Sequence, residues 1–467
     1  MLLHRTAKLA LTLGVAGIVT TLGATTAHAS VLGWNAAHGG SFFDSNNWQR
    51  GAVPGTRDEV VFDRGAQYGV WLNKSHTNSR MLVGNDAVNL NLNGHQYRLD
   101  ADTSGSLLMG LKANDAAGLN LTNGTLRSSK GRLAYAPGTF ANVNVFSTAT
   151  WRNTGPLVVG QKGRAEMTIS GGKVSSDGGR IGSANGGRGK VHLTGPTAAW
   201  RIGGALHVGG NGPKGKLTLS DDAYVKVKNR LHVSDDGKVV LDGGTLSVGT
   251  FKSYGEFDFR EGTLRLRDQG LTIGDGRQFG EQLDLSTGKR IKLGGAAEVN
   301  TNSTLNLLGG TFATAETMYN KGLIRMTQGS LLAAESVNIR NTLAGSGDIR
   351  GDVLFQESGN LVLELGGRNP GVSYDRIVID GDATLTNVEV KFKNGFVPSA
   401  GDHFELVTAD DITYTPNFTI SLPDLPDGLQ FDIRQDETCL HAFVVVPEPG
   451  AVALLAAAAG LLFKRRR

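Results

Sequence analysis

Three acidic pairs, Asp221-Asp222, Asp235-Asp236 and Asp410-Asp411, come nearest to catalytic chemistry in this chain. Paired carboxyls can divide general-acid and general-base work on a glycosidic bond, provided that both face one substrate. Adjacent residues of a strand point to opposite faces, so each pair reads more simply as a turn. A site for acidic polysaccharide would also need Arg or Lys beside two or three carboxylates on one solvent face. Metal chemistry has equally little to start from. The ten histidines are scattered without His-x-x-x-His spacing, and Cys439 is the single cysteine. Gly186-Gly187-Arg188-Gly189 and Gly209-Gly210-Asn211-Gly212 lack the acid that a calcium-binding Gly-rich turn needs. A nucleotide loop would need a βαβ setting, and no helical segment is visible in the body. No catalytic residue, metal or cofactor is therefore expected, and Cys439 reads as a half-buried strand residue.

The residues that do form an ordered chemical pattern sit at the two ends. Arg5 and Lys8 precede an apolar stretch from Leu9 to about Ala24, and Ala27-His28-Ala29 fits the small-x-small rule of a secretory signal. Cleavage after Ala29 would leave Ser30 first; the competing reading, a membrane anchor, is weakened by Gly14, Gly17 and several Thr. At the other end Val446-Pro447-Glu448-Pro449 leads into an apolar run ending at Phe463, then Lys464-Arg465-Arg466-Arg467. As a helix, Pro447 to Phe463 would rise about 25 Å, barely a bilayer core. The terminal cations would hold that end in the cytoplasm. The bland alternative is a plain C-terminal anchor.

Pro-Glu-Pro, short apolar helix and terminal basic cluster, in that order, resemble the PEP-CTERM sorting signal of bacterial exported proteins. The resemblance covers about twenty residues. It implies an exosortase-type processing enzyme that cuts near Pro447-Glu448-Pro449, and an association with exopolysaccharide.

Between the ends the chain repeats. Trp151-Arg152 and Trp200-Arg201 open similar segments at an offset of 49 residues. Runs ending at Ile169, Leu193, Leu219 and Leu241 recur in steps of 24, 26 and 22. A second series, Val159-Gly160, Ile181-Gly182 and Val208-Gly209, runs out of phase with them. Alternating apolar residues flanked by Gly, Asn, Asp and Ser read as short strands with turns. Two or three strands in about 24 residues make one coil of a right-handed parallel β-helix, whose apolar face only a neighbouring coil can bury. Met167, Ile169, Val191, Leu193, Leu217, Leu219, Val239 and Leu241 should point inward, and Thr168, His192 and Thr218 outward. The competing architecture is an array of β-sandwiches. The Gly-Thr-Leu strands of residues 110–350 resemble the autotransporter-associated β-strand repeats of bacterial surface proteins.

These readings divide the chain into a signal peptide (1–29), an N-terminal cap with first coils (30–109), solenoid repeats (110–344), a C-terminal β cap (345–446) and a sorting or anchor segment (447–467). The aromatic cluster Trp34, Phe42, Phe43, Trp48 and Phe62 suits a cap over an open sheet end, or more sharply a sugar-binding platform. With 66 Gly in 467 residues, the chain must turn often, which favours β-structure over helix. The formal charge of +4 lies in the two ends, and the body carries one net negative charge, so nucleic acid is set aside as a partner. The expected function is an exported, non-enzymatic surface or matrix protein. A glycan-binding module would instead show exposed aromatics in a row, and a polysaccharide-degrading enzyme would show carboxylates gathered from several coils.

Overall fold

The computed structural model describes residues 29–447 except 102–104, 184–185, 211, 275 and 277–278. Among these residues there is no α-helix. Forty-three strands join in one sheet, with two short 3-10 turns at Ser45–Asn47 and Gln49–Gly51. From Val31 to Ser421 the strand ladders are parallel, and the typical partner of a strand lies three strands further along the chain.

The repeat becomes three columns. The first takes Phe140–Phe146, Arg164–Ser170, Arg188–Thr194 and Gly215–Ser220; the second Ala149–Asn153, Lys173–Ser176 and Ala199–Ile202; the third Pro156–Val159, Gly178–Ile181 and Leu206–Val208. In the first column Val145, Ile169, Leu193, Leu219 and Leu241 stand in register, each buried, as the alternation requires. Thr168 and Thr218 are half-buried and His192 is exposed on the other face. Val240, which breaks the alternation, is buried as well. In the second column Trp151 pairs with Val174 and Val174 with Trp200, so the two tryptophans lie two levels apart on one flank. Their indole N–H groups donate to Ser128 Oγ at 2.8 Å and Ser176 Oγ at 3.1 Å, which satisfies the one polar atom each ring buries.

The out-of-phase Val-Gly series proves to be the third column and its exit corner. Gly160, Gly182 and Gly209 follow its strands with φ of +80°, +72° and +77°. A Cβ at Gly182 would stand 2.5 Å from the Lys214 carbonyl oxygen. Left-handed backbone and close main-chain approach therefore both demand glycine here.

The second column gives the longest unbroken register. It runs His76, Tyr97, Leu126, Trp151, Val174, Trp200, Val225, Leu246, Leu264, Ile291, Phe312, Leu332, Ile349 and Ile379. Every member but His76 is buried. Past residue 345 the parallel pairing continues, but the steps lengthen, as from Ile349 to Ile379, which is why the repeat fades in the sequence. Among the described residues the antiparallel ladders are confined to the last layer, where Cys439–Val445 lies between His403–Thr408 and Gln430–Gln435.

At the N-terminal end Trp34, Phe42, Trp48 and Phe62 are at most 1% exposed; Trp48 packs edge to face with Trp34 and Phe42, and Phe62 lies tilted against both tryptophans. This corrects the sugar-platform reading, because these faces are buried as core. The expected apolar helix falls on residues outside those described. Among the described residues no helix is long and apolar enough to cross a membrane.

Candidate functional site

Strand alternation turns every second residue of the second column outward, and in-register stacking puts those residues in one row. The row reads Arg98, Arg127, Arg152, Ser175, Arg201, Lys226, Ser247, Arg265 and Lys292, each paired with the next. Seven of nine successive levels are basic and none is acidic. Thr77 precedes the row and Ala313 follows it. At about 4.8 Å per level the row spans about 38 Å.

From Arg98 to Lys226 the row lines an open groove. A stretch of about 910 Å³ runs beside Arg127, Arg152, Arg201, Lys226 and Lys228, with Asp177 and Asp268 at its corner. A second stretch of about 440 Å³ shares Arg127 and Thr154 with the first and continues to Arg98. Arg98 is paired with Asp100. Arg201 stands 5.7 Å from the Tyr224 ring, and Arg267 donates to the Val227 and Lys228 carbonyl oxygens at 2.7 Å. Arg127, Arg152, Arg201 and Lys226 make no ion pair with a described residue.

Stability does not explain this arrangement, because like charges directly opposite one another in a sheet repel. The outward face of the first column shows the ordinary alternative. There Glu166 sits 2.7 Å from Arg164 and 3.2 Å from Lys190, and Lys238 pairs with Glu256. Elsewhere on that column Asn89, Asn120 and Asn144 form an amide ladder with bonds of 2.6 and 2.7 Å. The near-zero body charge hides the segregation: residues 30–344 hold 35 Lys and Arg against 25 Asp and Glu, while residues 345–446 hold 6 against 17.

The acidic pairs lie in turns or at a strand entry. Asp221 and Asp222 both have positive φ, 52° and 60°. Hydrogen bonds from Thr194 and Ser220 hold the Asp221 carboxyl below its usual range, the reverse of what a general acid needs. Asp236 accepts from the Gly212 N–H at 2.8 Å, and Asp410 precedes the strand Asp411–Ser421.

One cluster escaped the sequence reading. Pairing of His403–Thr408 with Cys439–Val445 brings the possible metal-ligand atoms of Glu405, Cys439 and His441 within 4.8 Å of one another. His403 Nε2 lies 2.9 Å from His441 Nδ1. These are the described residues that could hold a thiophilic divalent ion. As they stand, Glu405 pairs with Arg376 at 2.8 Å and His441 with Asp436 at 3.4 Å. Burial pushes the Cys439 thiol up to about 12. The i, i+2 spacing of His403 with Glu405 and of Cys439 with His441 was the available signal, but only the strand pairing joins the two halves.

No family model matches this chain, and no curated protein is similar to it in sequence. The functional reading therefore rests on the residues themselves. Of the exposed aromatics among the described residues, Trp71, Phe146 and Tyr254, only Tyr254 belongs to a row: its ring lies 5.7 Å from His232, which lies 5.5 Å from His207.

The residues singled out at the ends are only partly described. Val446 is exposed and, with Pro447, leaves the final strand, Cys439–Val445. Ser30 follows Ala29 at the first strand; its N–H donates to Asp58 Oδ1 at 2.8 Å, and its carbonyl accepts from Glu59 N–H at 2.9 Å. Ala27, Glu448, Pro449, Lys464, Arg465, Arg466 and Arg467 lie outside the described residues.

Proposed function

We propose that this chain is an exported, non-enzymatic surface or matrix protein. Its body is a right-handed parallel β-solenoid with β caps at both ends, delivered by the signal peptide and sorted through the PEP-CTERM-like tail by an exosortase-type enzyme. The observation that carries the reading is the fourteen-level register from His76 to Ile379, which at about 4.8 Å per level makes a stiff body over 60 Å long. Such a body suits a stalk or matrix element, and no level of it depends on a disulfide, since Cys439 is the only cysteine.

Two observations support export. Cleavage after Ala29 would convert the Ser30 N–H into an ammonium group against the Asp58 carboxylate, strengthening a contact that already fixes the first strand. At the other end, the tail is the one segment combining an apolar run with Pro-Glu-Pro and a basic stop, so it would serve as a transient anchor. The turn and strand-entry positions of the acidic pairs weigh against the polysaccharide-degrading alternative.

Mass spectrometry of the protein from its native cells tests the reading. The expected mature form begins at Ser30 and ends near Pro449. An intact Arg467 terminus would replace sorting by a plain membrane anchor, and an intact Met1 terminus would remove export altogether.

A further inference from the structure

We infer that the basic row of the second column binds a linear polysaccharide bearing carboxylate or sulfate groups, an inference that rests on the exported-scaffold reading. Four features of the groove carry it. The row keeps register over about 38 Å, and an open groove lies beside its first six members, Arg98 to Lys226, which fits an extended chain better than a small molecule. Arg127, Arg152 and Arg201 present guanidinium forks, whose geometry matches carboxylate or sulfate oxygens two at a time. These cations are not consumed by carboxylates of their own fold, in contrast to Lys190 and Lys238 of the neighbouring column. Ser175 and Ser247 occupy the two uncharged levels, so the row itself holds no acid, and the groove's Asp100, Asp177 and Asp268 are outnumbered by its cations.

The same features separate the partner from nucleic acid. A groove for single strands interleaves cations with aromatic platforms on which bases stack. No residue lining either stretch of this groove is aromatic. Tyr224, whose ring lies 5.7 Å from Arg201, is engaged by that guanidinium. Aromatic platforms serve a glycan held by its ring faces, whereas one held by its carboxylate or sulfate groups needs none.

The test uses the full chain, two variants that each remove three cations and a third that keeps the charge. Polygalacturonate, dextran sulfate, neutral dextran and single-stranded DNA serve as probes in a binding titration at low and moderate salt. The intact protein should bind polygalacturonate or dextran sulfate, with affinity falling as salt rises. The triple variant R127Q/R152Q/R201Q should bind at least tenfold more weakly, whereas K190Q/K216Q/K238Q on the first column should change binding less than threefold. R127K/R152K/R201K should recover part of the loss, because charge remains while the fork is gone. Circular dichroism establishes that each variant is folded. Equal loss in the two glutamine triples would overturn the inference in favour of diffuse charge attraction. Tighter binding of DNA than of either anionic glycan, or equal binding of neutral dextran, would overturn it too. The processed termini of the mature protein are read independently, so failure here leaves the exported-scaffold reading standing.

Discussion

If the basic row is kept for a ligand and not for the fold, removing its charges should make the protein more stable. R127Q/R152Q/R201Q deletes three cations and keeps side chains of comparable polarity. Three adjacent like-charge contacts vanish: Arg98 with Arg127, Arg127 with Arg152, and Arg201 with Lys226. Two unit charges about 4.8 Å apart in water repel by about 0.9 kcal/mol, and counter-ions near 0.1 M reduce this to about 0.5 kcal/mol. Asp100 already offsets Arg98, and long side chains splay apart, so the three contacts together should yield about 1 kcal/mol of stabilisation at low salt. Urea unfolding at roughly 0.02 M and 1 M salt measures it, since screening at 1 M confines charge effects to about 3 Å. The midpoint of the triple variant should exceed that of the parent at low salt and approach it at high salt. A triple variant less stable than its parent at low salt would refute the reasoning. It would mean that these arginines hold the sheet together through contacts worth more than their repulsion.

Leu219 is wholly buried between Leu193 and Leu241, so Leu219→Ala should cost about 2–5 kcal/mol through lost burial and a residual cavity. Thr218→Ala, on the opposite face, should cost well under 1 kcal/mol; hydrogen exchange of the adjacent levels distinguishes the two, and equal loss of protection would reverse the inward register. Cys439 should resist alkylation in the folded chain, because a thiol pushed up to about 12 is thiolate in only roughly one molecule in ten thousand at pH 8. Iodoacetamide labelling followed by mass spectrometry should be orders of magnitude faster after denaturation. Because its folded pKa lies above the unfolded value near 8.5, the contribution of this thiol to stability should be intact below about pH 8.5 and decline toward pH 12. Asp58→Ala removes the acceptor of both the Ser30 and Gly55 N–H groups, and should expose the amides of Val31–Gly33 to exchange while leaving the stack beyond the first levels unchanged.

The parallel stack was legible because its period was written in apolar residues. Ile169, Leu193, Leu219 and Leu241 recur at steps of 22 to 26, and burying one face at that spacing requires a neighbour at the same spacing. Trp151 and Trp200 were legible for the same reason. The aromatic cluster was less so, because Trp34 and Trp48 have the same composition whether they pack on a sugar or against each other; burial alone decides it. The continuation beyond residue 345 escaped because a column tolerates steps of different length: a longer corner between Ile349 and Ile379 leaves the strand pairing intact while erasing the period.

The basic row was illegible for a deeper reason. Net charge averages over the whole surface, and in the body the cations of residues 30–344 are cancelled by the acids of residues 345–446. What a polymer meets is not that sum but the charge along one line of the surface, within a Debye length of about 8–10 Å. Arg127, Arg152 and Arg201 are 25 and 49 residues apart in sequence, too far for any window of composition to join them. In a parallel column, however, sequence distance of one period collapses to about 4.8 Å, and residues sharing a phase share a line. A repeat therefore carries two messages. Its apolar phase states how the coils stack, and its outward phases state what each face presents, so the charge of such a protein has to be counted by phase, one column position at a time.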